Sequence, residues 1–183
     1  DKDTRPERRE HDKFAPLREV FESVNATFTK YFRTGPHNTV DEMLCLFRGR
    51  CPFKVFLKDK PGKYGILVRI LSSATKRYIV NMEVYAGKDN RRAAERGPLE
   101  IVKRLADPIK NTGYNVTMDR FYTSVELADT LYTDFKLTLV GILKSNRKHI
   151  PAELKSTNGR ELYSTKFAFT DPATKKSPVI LVS

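Results

Sequence analysis

The stretch Asn115–Ser124 (NVTMDRFYTS) constrains this chain more than any other. Tyr114, Val116 and Met118 alternate with polar residues, which is the period of a β-strand. Thr123 and Glu126 form a Ser/Thr-x-x-Glu pattern ahead of an apolar-periodic run, which reads as a capping box opening a helix. Asp119 then falls at the carboxyl end of a strand, in the crevice where open α/β sheets place their chemistry. A carboxylate in that position is either a structural, cap-like acid or a metal ligand.

A second acid bears on that choice. In the segment 39–56 (TVDEMLCLFRGRCPFKVF), Met43, Cys45 and Phe47 alternate with Leu44 and Leu46. The run reads as a strand buried on both faces, with Asp41 and Glu42 at its start. Unpaired carboxylates are strongly penalised on burial, so acids at such an entry imply a cation or a metal. Beyond it the chain turns basic, with Arg48, Arg50, Lys54, Lys58, Lys60 and Lys63 interleaved by Phe47, Phe53, Phe56 and Tyr64. Such interleaving suits phosphate contacts and stacking on unpaired bases; it equally suits a hairpin edge defended by lysines.

The remaining elements follow from periodicity and turn residues. Residues 1–13 are polar and read as an extended arm. A helix follows with Pro16 in its first turn, where a missing N–H costs nothing. Its inward face is marked by Leu17, Val20, Phe21, Val24, Phe28 and Tyr31, and residues 34–38 form a turn. Two strands, 64–72 and 78–85, are joined by a short polar link as an antiparallel hairpin. A polar connection holds Arg91, Arg92 and Arg96. A helix from Pro98 carries Leu99, Val102, Leu105 and Ala106 inward and stops by Pro108. After the strand ending at Asp119, a helix spans about 124–135 with Val125, Ala128, Leu131, Tyr132 and Phe135 inward. A strand at 136–143 ends beside Lys144, Arg147 and Lys148. The tail contains two β-like pieces, 162–170 and 178–182.

Three consecutive strands followed by alternating helices and strands predict an α/β fold, a ribonuclease-H-like mixed sheet flanked by helices. In that layout the first strand is central and lies beside the strand that follows the crossover helix, so Asp41 and Asp119 approach each other. The expected organisation is an N-terminal arm and helix (1–36), the first part of a catalytic core (37–150) and the start of a β-rich insertion (151–183).

Composition narrows the partners. A formal net charge of +12 over 183 residues points to a polyanion, nucleic acid before membrane. No apolar run approaches the ~20 residues of a spanning helix, and no secretory signal is visible, so no membrane partner is expected. Two cysteines, Cys45 and Cys51, are too few for a disulfide framework and read as small buried residues. His11, His37 and His149 are scattered singly, which argues against zinc.

With these residues in place, the chain resembles the piggyBac family of DNA transposases and their domesticated derivatives. The matching segments run in order: TRPERREHDKFAPLR, VDEMLCLFRGRCPFK, KPGKYGI, VTMDRFYTS and KLTLVGILKSNRKHIPAELK. The resemblance implies that Asp41 and Asp119 are the first two catalytic, metal-binding aspartates. It implies Mg²⁺ as cofactor, with Mn²⁺ as substitute, and a third carboxylate beyond Ser183. A piece without that carboxylate is expected to be inactive alone. It further implies cleavage of transposon-end DNA, insertion at TTAA, a homodimeric parent and nuclear location. The alternative within the same resemblance is a domesticated DNA-binding or chromatin-associated protein that no longer cuts. Two-metal phosphodiester chemistry suits the pair, with Asp41 bridging both ions and Asp119 binding one.

Arg48, Arg50, Lys60, Lys63, Lys144, Arg147 and Lys148 are the candidate phosphate contacts. If they act together, the logarithm of the DNA-binding constant falls with the logarithm of salt concentration at a slope of up to roughly −6. Fluorescence anisotropy titrations of a labelled duplex across a KCl series measure that slope, and a slope near zero contradicts the assignment.

Overall fold

The structure, a computed structural model, describes residues 3–87, 97–147, 150–156, 158–171, 173 and 177–183. Arg91, Arg92, Arg96, Lys148 and His149, singled out above, lie outside the described residues. The elements are α1 (Arg5–His11), α2 (Ala15–Tyr31), β1 (His37–Leu46), β2 (Val55–Phe56), β3 (Tyr64–Ser73) and β4 (Ile79–Val84). They continue with α3 (Pro98–Ala106), a 3-10 turn (Asp107–Ile109), β5 (Asn115–Met118), α4 (Val125–Asp134) and β6 (Thr138–Gly141). The last three are α5 (Ala152–Lys155), β7 (Phe167–Phe169) and β8 (Ile180–Val182).

Among the described residues one sheet runs in the order β2-β3-β1-β5-β6, with β4 also paired to β3. β1 pairs antiparallel with β3 and parallel with β5, and β5 pairs parallel with β6. This is the mixed sheet expected, with β1 central and flanked by the strand that follows the crossover helix. β7 and β8 form a separate antiparallel pair.

Helices α3 and α4 cover one face of the sheet. Ile101, Val102, Leu105 and Ala106 of α3 and Leu127 and Leu131 of α4 are buried with Val40, Leu71, Val116 and Met118 from the strands. Burial of this kind is the main favourable term in folding, at about 25 cal/mol per Å² of apolar surface. Val102, Leu105 and Ala106 of α3 are buried as its spacing predicts, Leu99 is partly buried, and Ile101 joins them. The inward stripe of α4 is rotated toward Leu127, and Tyr132 stays exposed. Ser124, not Thr123, sits at the N-cap and accepts a 3.1 Å hydrogen bond from the Leu127 N–H.

Several other sequence expectations change. Residues 5–11 are helical rather than extended, with Pro6 near the helix start, Glu7 in the first turn and Arg8, Arg9 and His11 in the last, charges that complement the helix dipole. β1 begins at His37, inside the segment read as a turn, because the Asn38 side chain closes the turn behind it. Its amide donates to Gly35 O at 3.0 Å and its Oδ1 accepts from Thr34 Oγ1 at 2.6 Å. The far half of β1 is not buried: Met43, Cys45, Leu46 and Phe47 are exposed, since β1 and β3 run on together past the end of β5. Cys45 is therefore an exposed free thiol and Cys51 a half-buried one.

Helix α2 packs by only part of the stripe expected, through Phe21 and Phe28. Leu17, Val20, Val24 and Tyr31 face solvent, and no residue of α2 is fully buried. Its contacts come from Phe21 on Phe14, Phe28 on Tyr78, and Asn25 on β4. Asn25 acts as a one-residue strand: its Oδ1 accepts from the Met82 N–H at 3.0 Å and its Nδ2 donates to Met82 O at 3.1 Å. A sheet edge with unpaired N–H and C=O groups is thereby closed by one side chain. The same Nδ2 donates to Asn81 Oδ1 at 2.8 Å, and Asn81 Nδ2 donates to Arg104 O and Leu105 O at 3.1 Å each. α2, β4 and α3 are thus tied by two amides. Among the described residues no helix is long and apolar enough to cross a membrane.

Asn25→Ala is expected to lower stability by ~1–3 kcal/mol, because it strands both backbone groups of Met82 and one amide of the relay. Urea unfolding followed by circular dichroism checks this, and an unchanged midpoint contradicts the role given to Asn25.

Candidate active site

The parallel register between β1 and β5 places the acids. His37, Asn38, Thr39 and Val40 stand opposite Asn115, Val116, Thr117 and Met118. Asp41 and Asp119 each follow the last of these pairs by one residue, Asp41 within β1 and Asp119 just past the end of β5. Adjacent strands lie about 4.8 Å apart, and residues at one register position of a parallel pair point to the same face. Val40 and Met118 are buried toward α3 and α4. By alternation Asp41 projects from the opposite face, and both aspartates are exposed.

Each carboxylate is held by its own backbone. Asp41 Oδ1 accepts from the Glu42 N–H at 2.7 Å, and Asp119 Oδ1 accepts from the Phe121 N–H at 2.9 Å. Neither acid forms an ion pair with a described residue. One oxygen of each is thus oriented while the other stays available, the arrangement a hard divalent cation needs from carboxylate ligands. The donor set fits such an ion as two of its ligands. Among the described residues no group of three or more His, Cys, Asp or Glu side chains could hold a metal ion.

The turn after β5 is locked by Thr123. Its N–H donates to Asp119 O at 3.1 Å, and its hydroxyl donates to Asp119 O at 2.7 Å and lies 3.3 Å from Met118 O. Thr123 is 3% exposed, so these bonds form away from solvent. The sequence pattern that marked Thr123 as a helix cap instead marks the residue fastening the Asp119 turn. Gly141 on β6 leaves room for it. A Cβ at that position would run into Thr123 Oγ1 and come within 2.8 Å of Met118 O.

Glu42 faces the other way, into the helix side of the sheet. Its carboxylate lies 3.5 Å from Lys60 Nζ, which also reaches Glu42 O at 3.4 Å. Nearby, Arg69 pairs with Glu83 at 2.9 Å and Arg104 pairs with Glu83 at 2.6 Å. Tyr122, 2% exposed, sits behind the aspartates. Burial holds its phenol well above the ordinary tyrosine value, and the Glu42 carboxylate adds to that, so it is neutral below alkaline pH.

The candidate phosphate contacts fall into two groups. Lys60 is held by Glu42 on the helix side of the sheet, and Lys144 lies by Phe121, whose ring centroid is 6.0 Å from Lys144 Nζ. Phe121 follows Asp119 by two residues and is 47% exposed. Arg48, Arg50 and Lys63 are exposed at the far end of the β1–β3 ribbon, about 20 Å from Asp41 at ~3.4 Å per residue. Arg147 is half-buried, with Nε lacking a hydrogen-bond partner among the described residues. Lys148 lies outside the described residues. Sequence patterns missed Thr123, Gly141, Phe121 and the Glu42–Lys60 pair, because each acts through a contact across the fold rather than a spacing along it.

Comparison with known proteins bears on this geometry. A family model described as Transposase IS4 matches residues 1–183. A solved structure, the piggyBac transposase synaptic complex with hairpin DNA determined by cryo-EM, superposes with a TM-score of 0.87 at 32% sequence identity. The match covers 100% of this chain, which spans 40% of the length of that one.

Thr123→Val is expected to cost ~1–3 kcal/mol and to release the Asp119 turn, whereas Thr123→Ser keeps both hydrogen bonds. Hydrogen exchange at the Phe121 and Thr123 amides reports this directly. Protection of the Phe121 amide that is equal in all three proteins contradicts the lock.

Proposed function

This chain belongs to the piggyBac-type transposases of the IS4 family, and from that premise we propose that it supplies the first two carboxylates of a site that cleaves and rejoins DNA phosphodiesters. The observation that supports this most is the β1–β5 register, which brings together the strand ends that carry Asp41 and Asp119, both exposed, each with one oxygen held by a backbone N–H and neither in an ion pair with a described residue. The family uses divalent metal ions in general; Mg²⁺, with Mn²⁺ as substitute, is the ion proposed here. When bound, such ions would supply activation of the attacking oxygen and stabilisation of the leaving one.

The chain's own residues do the rest. Asp41 in β1 and Asp119 on its locked turn would be two of the carboxylates that hold such ions. Lys144, beside Phe121, is positioned to meet the phosphate on the Asp119 flank. Lys60 neutralises Glu42, which keeps that acid from competing for phosphate-bound cations. A third carboxylate is assigned to the remainder of the longer parent. The substrate class is transposon-end DNA. Insertion at TTAA, a homodimeric parent and action in the nucleus are carried over from the family resemblance.

In the full-length parent with Mg²⁺, Asp41→Asn and Asp119→Asn are each expected to lower nicking of a transposon-end duplex by roughly 10²–10³-fold or more, with duplex binding retained. Gel assays of nicking and mobility shift, run side by side, separate the two. Nicking at the unsubstituted rate in either variant contradicts the assignment.

A further inference from the structure

The face of the sheet that carries Asp41 does not end at the acids. Strand alternation along β1 puts Met43, Cys45 and Phe47 on that same face, and the antiparallel register with β3 adds Tyr64 opposite Phe47. Phe56 of β2 is the cross-strand partner of Tyr64. Their ring centroids are 4.8 Å apart with planes inclined by 44°. Phe56 is 54% exposed and Tyr64 53% exposed. Two large aromatic rings left half in water at the tip of a ribbon contribute little to any core, since the buried cluster lies at the other end of the sheet.

The surroundings are cationic. Lys54 Nζ stands 6.0 Å from the Tyr64 ring centroid, and Arg48, Arg50, Lys58 and Lys63 are all exposed on the flanking turns. The acid within this stretch is Asp59. Lys60 does not belong to the group, being turned back to Glu42. The tip is also braced rather than loose. Leu57 N–H donates to Lys63 O at 2.7 Å, Lys63 N–H donates to Lys60 O at 3.0 Å, and Gly62 sits against Leu46, where any Cβ would collide.

We propose that the Phe56–Tyr64 pair is a stacking platform for an unpaired base, with Lys54, Lys58 and Lys63 holding the adjoining phosphates. Duplex DNA offers its aromatic faces only to neighbouring bases, so exposed rings between cations select a strand whose bases are free. The platform lies about 20 Å along the ribbon from Asp41, or roughly six nucleotides of rise at ~3.4 Å each. It therefore engages DNA beyond the reacting phosphate, where a frayed or single-stranded flank presents its bases. This rests on the transposase reading above and adds to it a residue pair and a DNA state.

The test uses the full-length parent and two labelled probes of equal length: a blunt transposon-end duplex, and the same end with an unpaired flank of about six nucleotides carrying 2-aminopurine. Phe56→Ala and Tyr64→Ala are expected to weaken binding of the flanked probe about tenfold, to abolish the 2-aminopurine fluorescence change, and to leave the blunt duplex bound as before. Phe56→Leu keeps the apolar contact with Tyr64, so it controls for folding of the tip, and is expected to show the same selective loss. Equal weakening on both probes, or no weakening on either, overturns the platform. If the unsubstituted protein binds neither probe, the transposase reading fails as well; if it binds and nicks normally while the aromatic variants are silent, only the platform fails.

Discussion

One hydrogen-bonded register governs the rest of this molecule: the parallel pairing of β1 with β5. A strand alternates its side chains with a period of two, so a slip of one residue would turn either aspartate toward the helices and bury it. The slip is prevented by apolar burial. Val40, Val116 and Met118 fill the space under α3 and α4 only in the observed register, with Asn38 buried beside them on its own turn. The hydrophobic face therefore decides where the polar one points. Bringing together the strand ends that carry the two acids is a consequence of packing on the far side of the sheet.

That arrangement would be costly without orientation. Two like charges on neighbouring strands repel, and in a buried site one would take up a proton. Here both are exposed to water, which screens them, and each has one oxygen engaged by a backbone N–H. The remaining cations are kept slightly apart. Arg69 and Arg104 are occupied by Glu83, Lys60 by Glu42, and Lys144 lies over Phe121. These ion pairs stand on the helix side of the sheet, so they draw no cation onto the carboxylates of the opposite face.

Much of this was legible in the chain. The strand–acid–helix unit around Asp119, the 64–85 hairpin and the inward stripe of α3 all have one dominant period and clear breakers, and the resemblance to piggyBac transposases pointed to both aspartates. The misreadings have specific causes. α2 has apolar residues around more than half its circumference, so spacing grouped Leu17, Val20, Val24 and Tyr31 with Phe21 and Phe28, and could not show that only the side with Phe21, Asn25 and Phe28 packs. The choice was made by the edge of β4, which needed an amide. The continuous apolar run from Met43 to Phe47 looked buried, yet β1 outruns its parallel neighbour there and lies open. Thr123 carried a helix-cap pattern but serves the preceding turn, and Glu42 and Lys60, eighteen positions apart, gave no local sign of pairing.

The most direct test of convergence between Asp41 and Asp119 is affinity cleavage by a substituted metal. Fe²⁺ is loaded into the DNA-bound parent in place of Mg²⁺, ascorbate and peroxide generate hydroxyl radicals at the ion, and the backbone cuts are mapped by mass spectrometry. Shared ligation requires two clusters of cuts, one around Asp41 and one around Asp119, both suppressed by excess Mg²⁺. Cuts around only one aspartate, or around neither, contradict it.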